Sequence, residues 1–189
     1  MMEYIMPSIG HRSINTKDDL RVKMAQIQLE KFKEQELKKE NKDKTAIIKL
    51  VNEFLEKIGI AINEEFDNEV EVKKAEDKSR GRISYNNIKK QSGIIYKEDI
   101  VWIKFNTNKC ISVIGVGCDI YFTQKTKEET SAGKINTFLE QEWDEESVLV
   151  FPLIGLDKLS FNRSDIESGI GNYLIANDVP ILDYYSHNY

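Results

Sequence analysis

Apolar residues recur along the chain with two different periods, and the change falls near residue 60. Between residues 17 and 40 they recur at spacings of three and four, which places them on one face of a predicted helix. These residues are Val22, Ala25, Leu29 and Phe32. A second helix, predicted over about residues 45–61, has a broader apolar face and is expected to pack on the core. That face consists of Ile47, Ile48, Val51, Phe54, Leu55 and Ile58.

The first helix is predicted to be an arm laid across a partner or across its own domain, or a solvated helix end, because its apolar stripe fades after Phe32 and charged residues cover its other faces. We therefore expect residues 1–62 to comprise an extended segment and a helical arm, followed by a compact α+β domain over residues 63–189. In the preferred interpretation the arm lies across a partner, so that Val22, Leu29 and Phe32 bind a larger protein partner or a second copy of the chain.

Beyond residue 62 the apolar runs become short and rich in β-branched and aromatic residues, which favours strands. The runs are IIY, IVWIKF, CISVIGVG, CDIYF and SVLVFPLIGL, and the alternating EVEVKK predicts an edge strand. Gly115 and Gly117 are expected to mark a strand bend or bulge. The pattern predicts an α+β fold with a mainly antiparallel sheet of about four or five strands and helices packed on one face.

The C-terminal part combines a predicted helix with an aromatic tail. Ser164 and Glu167 have the spacing of a capping box, and Gly169 and Gly171 inside the helix predict close approach by another element or a partner. The last residues, DYYSHNY, are rich in large side chains with polar tips, a composition favoured at interfaces. We therefore expect this tail to contact a protein partner. Its candidate residues are Tyr184, Tyr185, His187 and Tyr189.

Composition narrows the class of protein. The chain of 189 residues has a net charge of −5, which argues against binding nucleic acid through bulk charge but leaves a local patch open. No signal peptide or apolar stretch of about 18 residues is evident, so we expect a cytoplasmic protein that does not associate with membranes. In a reducing compartment Cys110 and Cys118 are expected to be buried free thiols. No cofactor is expected.

Charge is unevenly distributed within the compact part. Residues 63–77 contain seven acidic and two basic side chains, whereas residues 78–91 contain five basic and no acidic ones. The basic residues are Lys78, Arg80, Arg82, Lys89 and Lys90, with Tyr85 between them. Basic residues interleaved with an aromatic residue suit a loop that follows phosphates and stacks on bases. The segment therefore predicts a nucleic-acid contact; the alternative is a loop whose charge balances the adjacent acidic stretch.

Two alternatives assign chemistry or mimicry to acidic residues. A metal-dependent nuclease needs converging carboxylates and a nearby lysine. The candidates are Glu71, Lys73, Asp99 and Asp119, although their order along the chain argues against such a site. Residues 128–146 hold seven acidic residues and one lysine, which suits an inhibitor that mimics DNA. The preferred interpretation has no metal site: it is a non-catalytic accessory or adaptor subunit that docks on a larger protein partner, with nucleic acid as a further contact.

Overall fold

The computed structural model describes residues 14–76, 80–117, 121–123 and 129–183, and within these ranges the chain has an α+β fold. The helices are α1 (Leu20–Lys38), α2 (Lys44–Lys57), α3 (Tyr85–Ser92), α4 (Ser131–Phe138) and α5 (Arg163–Ala176). The strands are β1 (Glu69–Glu71), β2 (Lys73–Lys74), β3 (Arg80–Arg82), β4 (Ile100–Phe105), β5 (Ile111–Val116), β6 (Tyr121–Thr123) and β7 (Ser147–Pro152). No helix in these ranges has both the length and the apolar composition that a bilayer crossing requires.

The main sheet has the strand order β1, β7, β4, β5, and every neighbouring pair is antiparallel. The two central strands, β4 and β7, are buried along their whole length. A strand covered on both faces needs apolar residues at successive positions, which is why these two strands read as nearly continuous apolar runs. β7 ends at Pro152, whose nitrogen carries no hydrogen for a further ladder bond. The predicted antiparallel sheet is thus confirmed.

Different elements cover the two faces of the main sheet. α2 and α5 pack on one face, where they meet Ile103, Phe105 and Phe151. The other face, which carries Trp102 and Val150, is covered by α3 and by residues flanking β2 and β3. These two strands form a small antiparallel sheet with β6, in the order β2, β3, β6. The helices are therefore not confined to one face, since α3 lies opposite α2 and α5.

α1 lies across its own domain, and not across a partner as preferred. Val22, Leu29 and Phe32 are buried in an apolar cluster with Ile135 of α4 and with Cys110. They are therefore core residues, and the expectation that they bind a partner is corrected. The apolar stripe of α1 is narrow because α4 is its main neighbouring element. Outside the described residues lie the other predicted partner-binding residues, Tyr184, Tyr185, His187 and Tyr189.

A buried ion pair fastens α1 to the C-terminal segment. Arg21 Nη2 lies 2.8 Å from Asp183 Oδ1, and Ser131 Oγ donates to Asp183 Oδ2 at 2.7 Å. Removing one member of a buried pair leaves a buried charge without compensation, so loss of either Arg21 or Asp183 is expected to destabilise the packing of α1 on this segment. The neighbouring Cys110 is a buried free thiol, as predicted, and burial raises its pKa above the ordinary range. Cys118 lies outside the described residues.

Two glycines allow other elements to approach closely. At Gly115 on β5, a side chain would overlap the ring of Trp102, which pairs with Gly115 across the β4–β5 ladder. The register shift of that ladder falls near the end of β4 instead, so the bend or bulge predicted at Gly115 is corrected. At Gly169 on α5, a Cβ would lie 2.5 Å from Phe54 Cζ. This confirms the predicted close approach at Gly169 and identifies α2 as the approaching element.

α5 begins earlier than predicted. Asn162 is its N-cap: the Asn162 side chain accepts from the Asp165 N–H, and Asp165 Oδ2 accepts from the Asn162 N–H, both at 2.9 Å. Asparagine caps a helix as well as serine does, so the capping box expected at Ser164 and Glu167 is corrected. Glu167 lies half-buried inside the helix. Burial raises the pKa of Glu167 to about 7, and the charge of Asp183 adds to the effect.

Candidate nucleic-acid interface

A cleft of about 480 Å³ opens between the small sheet and the first turn of α3, and we call it the basic cleft. It is lined by Lys73, Arg82, Ile83, Ser84, Tyr85, Asn86 and Lys97. Three of these residues are cationic and none is acidic. The volume lies in the range of pockets that hold small ligands, so the cleft has room for a charged group.

Lys73 and Arg82 stand directly opposite each other in the small sheet. β2 and β3 are antiparallel, and their register pairs Lys73 with Arg82. The Cβ atoms of residues paired in this way are about 5 Å apart, and like charges in that position destabilise the ladder. Both side chains are exposed. An anion bound between them removes the repulsion, so this pair favours a negatively charged ligand.

Lys97 reaches the cleft from a turn that precedes β4. The turn spans residues 96–99 and is closed by the Asp99 N–H, which donates to the Tyr96 carbonyl at 3.1 Å. Buried apolar residues on both sides of the turn hold it against the face of the main sheet that carries Trp102 and Val150. The predicted strand IIY is therefore not formed, and the turn fixes Lys97 beside the cleft.

Asp99 and the neighbouring backbone connect the same turn to Arg163 at the start of α5. Its carboxylate is buried, and Arg163 Nε lies 3.6 Å from Asp99 Oδ1. Arg163 Nη1 also donates to the Glu98 carbonyl at 3.5 Å, which links the turn to the start of α5. Burial raises the pKa of Asp99, although the charge of Arg163 opposes that shift. Asp99 is thus partnered within the fold and supports the turn that carries Lys97.

The cations of the basic cleft lack acidic partners within the part of the chain that the structure describes. Lys73, Arg82 and Lys97 form no ion pair there, whereas a lysine such as Lys109 lies 2.8 Å from a carboxylate. Ser84, the N-cap of α3, makes no side-chain capping bond, and the first turn of α3 holds no acidic residue. The positive end of the helix dipole therefore adds to the charge of the cleft.

The structure divides the predicted basic segment. Arg82 and Tyr85 line the basic cleft, and Tyr85 also packs against the apolar cluster on the second face of the main sheet. Lys89 and Lys90 lie in the last turn of α3. They stand about 7 Å further along the helix axis than Tyr85. These two lysines extend the positive charge beyond the cleft without lining it.

The basic segment is also more regular than predicted. Arg80 lies in β3 and residues 85–92 form α3, so the expected flexible loop is corrected. Lys78 lies outside the described residues. Sequence reasoning missed Lys73 and Lys97 as cleft residues because they come from β2 and a turn, on either side of the basic segment. The alternating pattern of EVEVKK was a signal for Lys73, since an edge strand pairs its side chains with those of the next strand.

The residues of the nuclease alternative do not converge. Glu71 pairs with Ser147, the first residue of β7, whereas the Asp99 carbonyl accepts from the Leu153 N–H just past the end of that strand. Six residues of extended strand separate these positions by about 20 Å, too far for one metal ion. Asp119 lies outside the described residues. Within the described ranges no three His, Cys, Asp or Glu side chains are grouped as metal ligands.

A second cleft, of about 630 Å³, contains much of the predicted acidic segment, and we call it the acidic cleft. Its charged lining residues are Lys74, Lys109, Glu142, Asp144, Glu145 and Glu146. Asp144 is buried and pairs with Lys109 at 2.8 Å and with Lys44 at 3.7 Å. Lys74 Nζ lies 4.0 Å from Glu145 Oε2. Part of the negative charge that a DNA mimic needs to display is thus neutralised within the chain.

Asp144 is the centre of this compensation. Burial alone would raise its pKa, but hydrogen bonds from Lys109 Nζ and the Glu146 N–H hold the pKa below its ordinary value. The positive charge of Lys44 acts in the same direction. The carboxylate therefore stays ionised at neutral pH while it is buried.

Lys104 lies between the rings of the two tryptophans of the chain. Its Nζ is 4.7 Å from the centroid of the Trp102 ring and 5.6 Å from that of Trp143, which also lines the acidic cleft. A cation over an aromatic face is attracted by the ring electrons. This contact connects β4 to the segment that ends the acidic stretch.

Comparisons with models of protein families, with curated proteins and with solved structures found no match to this chain. The two clefts therefore supply the argument about function. Of the two, the basic cleft presents the cations that lack acidic partners in the described ranges.

Proposed function

We propose that this protein is a non-catalytic accessory subunit that binds the phosphate backbone of a nucleic acid in the basic cleft. The observation that carries the proposal is the register of the small sheet, which pairs Lys73 directly with Arg82. Two cations held side by side repel each other, and a phosphate between them relieves the repulsion. Lys97 adds a third cation to the same cleft.

The charge of the whole chain favours one orientation of the ligand. The net charge is −5, so the bulk charge of the chain does not attract a polyanion, which is drawn only to places where cations gather. The basic cleft is such a place, because its lining residues include three cations and no acid. The nucleic acid is therefore expected to meet the face formed by β2, β3 and the start of α3.

The small number of cations supports an accessory role. Three phosphate contacts give a slope of log affinity against log salt concentration of only about −2 for a single strand. Such a site binds weakly alone, and it contributes most when a larger partner holds the same nucleic acid nearby. The geometry thus suits a subunit that adds a contact to an assembly.

A larger protein partner is part of the proposal. One face of α1 is buried in the core, and the remainder of the helix exposes three large apolar side chains. They are Leu20, Ile27 and Leu37. We expect these exposed side chains to contact the partner, and the molar mass of the material recovered from the native host, measured by light scattering, tests the expectation. A mass equal to that of one chain contradicts it.

Binding to nucleic acid is tested by fluorescence anisotropy with a labelled oligonucleotide and a matched pair of triple variants. K73Q/R82Q/K97Q removes the three cations of the basic cleft. The control K33Q/K49Q/K158Q removes three exposed lysines that lie outside it, so both variants change the net charge equally. We expect the cleft variant to lose at least about tenfold in affinity and to reduce the salt slope by about two, and the control to retain both. Equal losses in the two variants contradict the proposal.

A further inference from the structure

Two large side chains are exposed next to the basic cleft. Ile95 is 54% exposed and Tyr96 is 60% exposed, and Lys97, which lines the cleft, follows directly in the chain. The Cα atoms of Tyr96 and Lys97 are about 3.8 Å apart because they are consecutive. The residue next to one of the three cations of the cleft thus carries an exposed aromatic ring.

The turn that carries Tyr96 is held in place from several directions. Its closing hydrogen bond runs from the Asp99 N–H to the Tyr96 carbonyl. Ile94 on one side and Ile100 on the other are buried in the core. The turn contains two acidic residues, Glu98 and Asp99. The Asp99 carboxylate is buried against Arg163, so it repels an anion at Lys97 less than Glu98 does. Tyr96 is therefore a large side chain displayed by a supported turn, which lowers the entropy lost when a ligand stacks on it.

Exposed aromatic rings next to cations distinguish single strands from duplexes. The bases of a duplex are stacked and paired with each other, so their faces are not offered to a protein surface. The bases of a single strand offer their faces, and stacking on an aromatic side chain is largely independent of base identity. A surface with cations alone reads phosphates, whereas a surface with cations and an exposed ring reads phosphates and unpaired bases.

From this juxtaposition we infer that Tyr96 is a stacking platform for a base, and that the ligand of the basic cleft is single-stranded nucleic acid. Lys73, Arg82 and Lys97 bind the phosphates, and the ring of Tyr96 binds the base of an adjacent nucleotide. The inference rests on the proposed function, since it specifies which nucleic acid the cleft binds.

The test compares three probes: a labelled oligothymidylate, a duplex of the same length, and inorganic polyphosphate, which has phosphates and no bases. Y96A is expected to weaken binding of the oligothymidylate about tenfold and to leave polyphosphate unchanged. Y96F keeps the ring and is expected to bind like the unmodified protein. F161A is the matched control, because Phe161 is an exposed aromatic residue that does not line the basic cleft. An oligodeoxyuridylate and an oligouridylate, which differ only in the 2′-hydroxyl, are run in parallel to show whether the protein prefers DNA or RNA.

The outcomes separate this inference from the proposed function. If Y96A leaves the oligothymidylate affinity unchanged, or weakens polyphosphate equally, the stacking platform is overturned. A duplex that binds as tightly as the single strand overturns the choice of ligand. In each of these cases the proposed function survives if K73Q/R82Q/K97Q still weakens all three probes. If that triple variant binds every probe like the unmodified protein, the proposed function fails as well.

Discussion

Most charged side chains of the acidic cleft are paired with opposite charges, whereas the cations of the basic cleft are not paired within the described ranges. In the acidic cleft the buried Asp144 lies close to two lysines, and Glu145 lies 4.0 Å from Lys74. In the basic cleft three cations have no acidic partner within the described ranges. Charge in the first cleft is therefore part of what holds the fold together, whereas charge in the second opposes the fold locally. An anion bound between Lys73 and Arg82, as the proposed function requires, would offset their mutual repulsion.

Two adjacent lysines on β2 belong to different clefts, and only one of them has an acidic partner in the described ranges. Lys73 lines the basic cleft and pairs across the ladder with Arg82. Lys74 lines the acidic cleft, within 4.0 Å of Glu145. Successive side chains of a strand point to opposite sides, so one dipeptide contributes to both surfaces. A run of charge in a sequence therefore does not reveal which of its members are compensated.

Removing the carboxylate of Asp144 gives the largest effect expected for either cleft. D144A leaves Lys109 and Lys44 without their buried partner, so we expect the free energy of unfolding to fall by about 2–3 kcal/mol, less than for a pair buried on both sides. Urea denaturation followed by circular dichroism measures the change. The control E142A removes an exposed carboxylate of the same cleft and is expected to cost less than about 0.5 kcal/mol. Similar losses in both variants contradict the compensation described for Asp144.

Glu167, which lies outside both clefts, is expected to change the stability of the fold with pH in the opposite direction to Asp144. The pKa of Glu167 is about 7 in the folded protein against an ordinary value of 4.5, so the folded state binds more protons between these values. Stability is therefore lost as the pH rises from about 4.5 to about 7. The pKa of Asp144 is lowered, so its contribution is lost in the opposite direction, as the pH falls through the folded-state value.

The variant E167Q isolates the contribution of Glu167. Relative to E167Q, the unmodified protein is expected to lose about 1–2 kcal/mol of unfolding free energy between pH 5 and pH 8. Urea titrations at the two pH values measure the difference. E64Q, which alters an exposed glutamate, serves as the control and is expected to keep the pH dependence of the unmodified protein. A pH dependence that E167Q does not flatten excludes Glu167 as its source.

The smallest effect compares the adjacent lysines Lys73 and Lys74. K73Q relieves the repulsion from Arg82 and is expected to raise the free energy of unfolding by about 0.3 kcal/mol at low salt. K74Q removes a partly exposed ion pair with Glu145 and is expected to lower it by about 0.3 kcal/mol. Both changes shrink at high salt because salt screens exposed charges. Replicate thermal melts measure the difference, and changes of the same sign in both variants would remove the contrast between the clefts.

Sequence predicts an element well when its pattern of apolar residues follows directly from how the element is buried. β4 and β7 are continuous apolar runs because they occupy the centre of the sheet, and α2 has a broad apolar face because it packs on that sheet. The expectation that α1 binds a partner was wrong, because a narrow stripe fits a helix laid across a partner and a helix laid across its own domain equally well. The choice depends on whether α4 and the C-terminal segment lie within reach, which no local pattern encodes.

The candidate site was predictable only in part for the same reason. Arg82 and Tyr85 lie in a basic segment that composition reveals directly. Lys73 and Lys97 join them through the register of the small sheet and through a turn held by Arg163. Both of these are tertiary relationships. The helix α3 was also missed, because its residues favour a loop until Ile88 is buried under the sheet and Gly93 ends the helix in a left-handed conformation.

The position of Lys104 between Trp102 and Trp143 has a spectroscopic consequence. The chain contains two tryptophans, and both rings lie beside the same ammonium group. Intrinsic tryptophan emission therefore reports on one location, where β4 meets the edge of the acidic cleft. Fluorescence-detected unfolding therefore follows the separation of these two segments without any attached dye.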